Sequence, residues 1–178
     1  MFHRAIFSGL AAAAAVIHSC VLAAATAASA EGLSNSAASI HQEVNFGASC
    51  ARVYAALTTS GQFDAVTRLS DGATLLAAPG ALPTTISARV GGAFALFGGY
   101  ISGRNLDMVP GTRLVQAWRT KSWDAGAYSI VSFALAGDGA NCQLTFEQRG
   151  FPQSQGSSLA YGWRVHYWDP LTKFLAQR

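Results

Sequence analysis

Residues 91–99 read GGAFALFGG, two glycine pairs around five apolar residues. A phosphate-cradling loop would open a helix with Gly-x-Gly-x-x-Gly spacing, or would end in Gly-Lys-Ser/Thr. Neither pattern is present. No lysine follows, and Tyr100 and Ile101 continue in strand character. Glycine within a sheet marks a bulge, a sharp bend or the close approach of another group. The stretch therefore reads as a strand at 93–97, bent at both ends. Phe94 and Leu96 take the inner face, or Phe97 if the register slips by one.

The neighbouring sequence continues the strand pattern. Residues 85–90 lead into Gly91, so that 93–97 is either a new strand or the same strand carried past a bulge. Residues 100–109 end at Pro110-Gly111, a strong turn pair. Strands follow at 112–121, 127–135 and 142–149, with a turn at 137–141 and closure at Gly150-Phe151-Pro152. Upstream, Ile40, Val44 and Phe46 suit a strand with one buried face. Ser49 is a good helix N-cap, Val53, Tyr54 and Leu57 recur at helical spacing, and a second short helix fits 62–68 after Gly61. Residues 70–83 show no period and read as a loop. At the C-terminus, Trp163, Tyr167, Leu171 and Phe174 mark an amphipathic helix with an aromatic face. Pro170 kinks or restarts that helix, with Asp169 placed to cap its second half. Strands in a run, then a helix, make an α+β fold with an antiparallel sheet.

The chain has 178 residues, of which 51% are hydrophobic and only 12% charged. Part of that skew is local. Met1-Phe2-His3-Arg4, a long apolar run and Ala28-Ser29-Ala30 have the layout of a secretory signal peptide over residues 1–30, cleaved after Ala30. Two other readings of the segment are an uncleaved membrane anchor and lipoprotein processing at Cys20, the latter opposed by His18. Residues 31–39 are Ser/Ala/Asn-rich and read as a flexible start, leaving one domain at 40–178. No later segment is long and apolar enough to span a bilayer. The basic residues are scattered singly, which argues against a nucleic-acid partner.

Chemistry-bearing constellations are sparse. His41 and His166 are far apart, and there is no Cys-x-x-Cys or His-x-x-x-His, so no metal or other cofactor is expected. His166 reads as a packed or capping residue. No Gly-x-Ser-x-Gly elbow occurs. Asp107, Asp124, Glu147 and Asp169 are the candidate carboxylates. Strand alternation sends Glu147 outward if Leu144 and Phe146 face in, and turns Gln148 inward. The same rule places Leu114, Gln116 and Trp118 on one face. A buried Gln116 amide needs a partner: a ligand, a water or the helix.

Several words, in order, resemble the START-like (SRPBCC) superfamily, and within it the homologues of the heat-shock protein 90 ATPase activator. They are VYAAL (53–57), GGAFALFGGYISG (91–103), LVQAWR (114–119), YSIVSFAL (128–135), LTFEQRGFP (144–152) and GWRVHYWDPLTKFL (162–175). The resemblance runs from Ile40 to Leu175. It departs at 70–83 and in the exported N-terminus. It implies a helix-grip fold: a curved antiparallel sheet of about six strands around a long C-terminal helix, with two short N-terminal helices. A cavity commonly lies between sheet and helix.

The residues assigned to its lining are Phe94, Leu96 and Tyr100, then Gln116 and Trp118, then Val131 and Phe133. Leu144, Phe146 and Gln148 complete the sheet side, and Trp163 and Tyr167 come from the helix. Such a lining suits a small hydrophobic or aromatic ligand held by one or two hydrogen bonds. The same residues also read as plain core, with Trp163 and Tyr167 filling the space. The implied topology pairs the first strand with the last, which brings Cys50 near Cys142. A disulfide there and two separate buried thiols are the alternatives. Three functions stay open: an exported binding module for a small hydrophobic ligand, a chaperone-cofactor role like that of the ATPase activators, and a cyclase- or hydratase-type enzyme. Ligand, protein partner and oligomeric state are not legible.

Overall fold

The computed structural model describes residues 39–71 and 73–177. Residues 1–30, read above as a signal peptide, lie outside the described residues. Of the expected flexible start only Ser39 is described, and it is the first residue of a strand.

Seven strands form one antiparallel sheet in the order β1-β7-β6-β5-β4-β3-β2. They are β1 (Ser39–Phe46), β2 (Thr85–Ile86), β3 (Ala93–Leu96), β4 (Ile101–Val109), β5 (Arg113–Thr120), β6 (Ser129–Ala136) and β7 (Cys142–Arg149). Alternation sets the faces. In β7, Cys142, Leu144, Phe146 and Gln148 are buried while Gln143 and Arg149 face solvent. The C-terminal helix runs from a 3-10 turn (Gln153–Gln155) through α4 (Gly156–Trp163), a π turn (Arg164–Trp168) and α5 (Asp169–Ala176). With α1 (Cys50–Thr58) and α2 (Ser60–Thr67) it covers the inner face.

The GGAFALFGG stretch resolves into a hairpin and a turn. Residues 85–86 and 93–96 are two strands, paired Thr85↔Ala95 and Ile86↔Phe94, not one strand carried past a bulge. This raises the strand count to seven. Beyond Leu96 the chain leaves the sheet. Phe97 takes φ 52° and opens a 3-10 turn (Phe97–Gly99), in which Gly98 has φ 69°. That turn lets Phe94, Leu96 and Phe97 all be buried, so the two register alternatives are satisfied together. Gly103, opposite Trp118, is required for a different reason. A Cβ there would strike the Ala117 carbonyl and the Phe94 ring.

Three further details differ from the sequence reading. Residues 70–83 contain a short helix, α3 (Ala73–Leu76). Gly61 lies in the first turn of α2 rather than between helices. Pro170 stands in the first turn of α5, where the helix resumes after the π turn, and the N-cap position there is Trp168 rather than Asp169. The Asp169 N–H instead bonds the Arg164 carbonyl, five residues back. The π turn takes up the proline's missing donor before the helix reaches it.

Ser49 caps α1, accepting from the Arg52 N–H at 3.4 Å. Phe46↔Cys142 is the last pair of the β1–β7 ladder, and Cys50 opens α1 just beyond it. Cys50 and Cys142 are joined by a disulfide with Cα atoms 4.9 Å apart, across 92 residues of sequence. Arg52, two residues on, donates to the Leu175 and Gln177 carbonyls at 3.3 Å, tying α1 to the end of the C-terminal helix.

Closing a loop of that length restricts the unfolded chain by about 4–5 kcal/mol in the chain-entropy account. The double substitution Cys50→Ser, Cys142→Ser is expected to lower unfolding free energy by about 3–5 kcal/mol in urea titrations. The reduced wild type should fall to the same level; equal midpoints with and without reductant would contradict the link.

Candidate functional site

Trp163 sits at the centre of the aromatic cluster on the concave face of the sheet. Trp163 is 2% exposed. Its ring lies 4.3 Å from Phe146, 4.1 Å from Tyr167, 5.4 Å from Trp118 and 5.9 Å from Phe133, centroid to centroid. Its N–H donates to Gln148 Oε1 at 2.7 Å. Gln148 Nε2 donates to Ser129 Oγ at 2.9 Å, and Ser129 donates to the Trp118 carbonyl at 3.1 Å. The side-chain polar atoms of Trp163, Gln148 and Ser129 are therefore satisfied within this series.

This arrangement closes the deep cavity expected between sheet and helix. The gap that remains beside Phe94, Leu96, Gln116 and Phe133 is about 10 Å³, room for one water at most. Val131, Leu144, Phe146 and Gln148 are buried core residues and border neither that gap nor the pocket described next. Gln116 is held without a ligand: its amide donates to Asn105 Oδ1 at 2.9 Å. Asn105 in turn donates to the Ser87 carbonyl at 2.9 Å, clamping the β2–β3 hairpin. Sequence reading missed Asn105 because β4 bulges between it and Asp107, which breaks simple alternation.

The open space lies at one end of the grip. A pocket of about 260 Å³ is bounded by β4 and β5, the 3-10 turn after β3, α3 and the first half of the C-terminal helix. Of the lining residues read from the sequence, Tyr100, Trp118, Trp163 and Tyr167 border it. Tyr100 is not an inward strand residue. It ends the 3-10 turn, is 42% exposed and stands at the pocket's edge. Leu75, Phe97, Leu159 and His166 join the lining. Leu75 was hidden in a stretch without periodicity. His166 was assigned to packing, because the π turn that brings it here leaves no sequence signal.

Most polar groups around the pocket are committed. Trp163 donates to Gln148. Thr120 and Ser122 share a hydrogen bond at 2.7 Å. Gln155 Oε1 accepts from Trp123 at 2.7 Å, and Ser158 donates to the Gln155 carbonyl. Three are not. Trp118 Nε1, His166 Nδ1 and Tyr167 OH are buried without a hydrogen-bond partner. Among the described residues only five buried side-chain polar atoms lack one, and three belong to this pocket. Burial holds the Tyr167 phenol well above its ordinary range; the Trp118 N–H beside it offsets part of that shift without reaching hydrogen-bond geometry. The Tyr167 hydroxyl is thus protonated and able to donate.

No Asp, Glu, Lys or Arg lines the pocket. Asp107, the candidate acid, is ion-paired to Arg113 at 2.6 Å on the outer face. Among the described residues no cluster of three or more His, Cys, Asp or Glu is placed to hold a metal, and no helix is long and apolar enough to cross a membrane. A wider depression of about 430 Å³ beside Arg68, Asp71, Asp169 and Lys173 is open, charged surface.

Comparison with known proteins places this geometry in context. The family described as Activator of Hsp90 ATPase homolog 1-like protein matches residues 47–176. A human protein named Activator of 90 kDa heat shock protein ATPase homolog 1 is 31% identical over 87 residues, 49% of this chain and 26% of that protein. A Dictyostelium discoideum homologue is 33% identical over 88 residues, 48% of this chain and 22% of its own. The match thus spans about a quarter of these relatives' length. Among solved structures, a Plasmodium falciparum HSP90 activator superposes with TM-score 0.63 at 20% identity, covering 77% of this chain and 95% of that one. The Aha1 dimer protein of Colwellia psychrerythraea gives TM-score 0.59 at 14% identity, over 79% and 98%. At these identities the structures attest the fold.

Gln148→Leu tests the central hydrogen-bond chain. It keeps the volume near constant but strands the Trp163 N–H in an apolar interior, a cost of about 1–3 kcal/mol. Urea titration of the variant should read that loss; a change below about 0.5 kcal/mol, the size of a typical surface substitution, would mean the chain carries no weight.

Proposed function

This chain belongs to the Activator of Hsp90 ATPase homolog 1-like family, and on that premise we propose that it is an exported START-like domain that holds a small hydrophobic or aromatic molecule. The observation that carries this reading is the pocket of about 260 Å³. It is open at one end, and Phe97, Trp118, Trp163 and Tyr167 give it aromatic walls. Sites of this kind take mostly apolar ligands, oriented by a few polar groups. Two features support export. One is the leader-like segment ending at Ala30. The other is the Cys50–Cys142 disulfide, a bond that persists in oxidising compartments.

A chaperone-cofactor role is the second reading, and the printed names of the relatives favour it. They do so over about a quarter of those proteins' length. A disulfide also sits poorly with the reducing compartments where an ATP-consuming chaperone would be met. A cyclase or hydratase needs an acid–base pair at the substrate. The pocket offers His166 and Tyr167 and no carboxylate.

Protein purified after export from its native host is expected to release a small apolar molecule into mass spectrometry, and re-adding it should raise Tm. Gly162→Leu supplies the control. A Cβ at Gly162, a residue that lines the pocket, meets nothing nearer than His166 at 4.0 Å, so the position has room for a side chain. Leucine also favours the helix by up to about 1 kcal/mol. The variant should fold with an unchanged or higher Tm and lose the ligand. Full retention of the ligand by Gly162→Leu would place binding elsewhere. Stimulation of a chaperone ATPase by the exported protein, with no ligand found, would favour the second reading.

A further inference from the structure

We infer that the ligand of this pocket is a neutral, ring-bearing molecule with a carbonyl-type acceptor oxygen, held by the Trp118 N–H and the Tyr167 hydroxyl. The inference rests on the binding reading above and specifies its chemistry.

The polar inventory of the pocket drives it. Trp163 donates to Gln148, Thr120 pairs with Ser122, Gln155 Oε1 accepts from Trp123, and Ser158 donates to the Gln155 carbonyl. Trp118 Nε1 and Tyr167 OH have no hydrogen-bond partner, although both residues are more than nine-tenths buried. An indole N–H can only donate. The Tyr167 phenol is protonated at neutral pH, burial raises its pKa further, and its hydroxyl can donate as well. Both rings pack against Trp163, at 5.4 and 4.1 Å between centroids, and both residues border the pocket. A carbonyl oxygen has two lone pairs and satisfies two donors at once. Leaving such donors buried and unpaired is costly, so a site of this kind rejects analogues that lack the acceptor.

Charge excludes the anionic alternatives. No lysine or arginine borders the pocket, and a carboxylate taken from water into an apolar site without a cation is strongly disfavoured. His166 is the one ionisable nitrogen there. Its ring lies 6.2 Å from that of Phe97, centroid to centroid, and its unpartnered Nδ1 would give the ligand a second polar contact. Size sets the last limit. About 260 Å³ lies below the usual range for drug-sized sites, which favours a compound of one or two fused rings.

Three naphthalenes of nearly one shape test the inference by calorimetry on the exported, disulfide-bonded protein: 2-acetylnaphthalene, 2-ethylnaphthalene and 2-naphthoate. The ketone should bind about tenfold more tightly than the hydrocarbon, as one well-placed hydrogen bond provides. Naphthoate should bind more weakly than the ketone. Tyr167→Phe, which removes a single oxygen, and Trp118→Phe should each reduce the ketone's advantage severalfold, with circular dichroism and Tm verifying that both variants are folded. Equal affinity for ketone and hydrocarbon in the wild type would overturn the acceptor while leaving the pocket intact. Tightest binding by naphthoate would overturn neutrality. An unchanged preference in Tyr167→Phe would remove that hydroxyl from the account. Failure of all three compounds to bind would overturn the binding reading itself.

Discussion

One indole has to be satisfied in the middle of an apolar sheet, and the rest of the structure is arranged around that requirement. Trp163 brings a large ring and an obligatory donor to the concave face. Gln148 answers the donor at 2.7 Å, Ser129 answers Gln148, and the Trp118 carbonyl answers Ser129. The chain crosses three adjacent strands, β7, β6 and β5, so it ties their register to the position of the helix. The ring itself occupies the volume that a curved sheet would otherwise leave hollow. With the centre filled, an apolar pocket survives toward the end of the grip, beside Trp118 and Tyr167. The pocket is a consequence of where Trp163 stops.

The π turn determines what that pocket displays. In a regular α-helix, residues five apart do not share a face. Widening the turn over residues 164–168 brings Trp163 and Trp168 onto the sheet together, stacked 5.6 Å apart at 19°. Trp168 then donates to Gln42 Oε1 at 2.6 Å, and Gln42 Nε2 donates to the Ala160 carbonyl, which locks β1 to the helix. His166 and Tyr167, inside the same turn, border the pocket, and His166 Nδ1 and the Tyr167 hydroxyl are buried without a hydrogen-bond partner. The disulfide and Arg52 hold the opposite end, where α1 meets β7 and the last turn of α5. One end of the grip is thus covalently closed and the other left open.

Much of this was legible because alternation is a strict rule in paired strands. The parity of β7 put Leu144, Phe146 and Gln148 inside and Glu147 outside, and β5 did the same for Gln116 and Trp118. What the sequence concealed lies where periodicity is broken. The bulge after Asn105 hid the residue that holds Gln116. The left-handed backbone at Phe97 and Gly98 moved Tyr100 from an inner face to a rim. α3 and Leu75 sit in a stretch with neither helical nor strand period. The candidate lining was read as a set of inward residues, and most of them are inward. Which of them border empty space depends on how far one tryptophan reaches, and no pattern along the chain encodes that.

The four indole N–H signals in a nitrogen-15 correlation spectrum test the account most directly. Trp163 and Trp168 are bonded to Gln148 and Gln42, and Trp123 to Gln155, whereas Trp118 has no partner. On titration with 2-acetylnaphthalene, the Trp118 N–H should move downfield as it gains an acceptor, while the Trp163 and Trp168 N–H signals hold their positions to a good approximation. Displacement of the Trp163 and Trp168 signals with Trp118 unmoved would mean that the ligand enters the centre of the sheet, and that the hydrogen-bond chain through Gln148 does not close it.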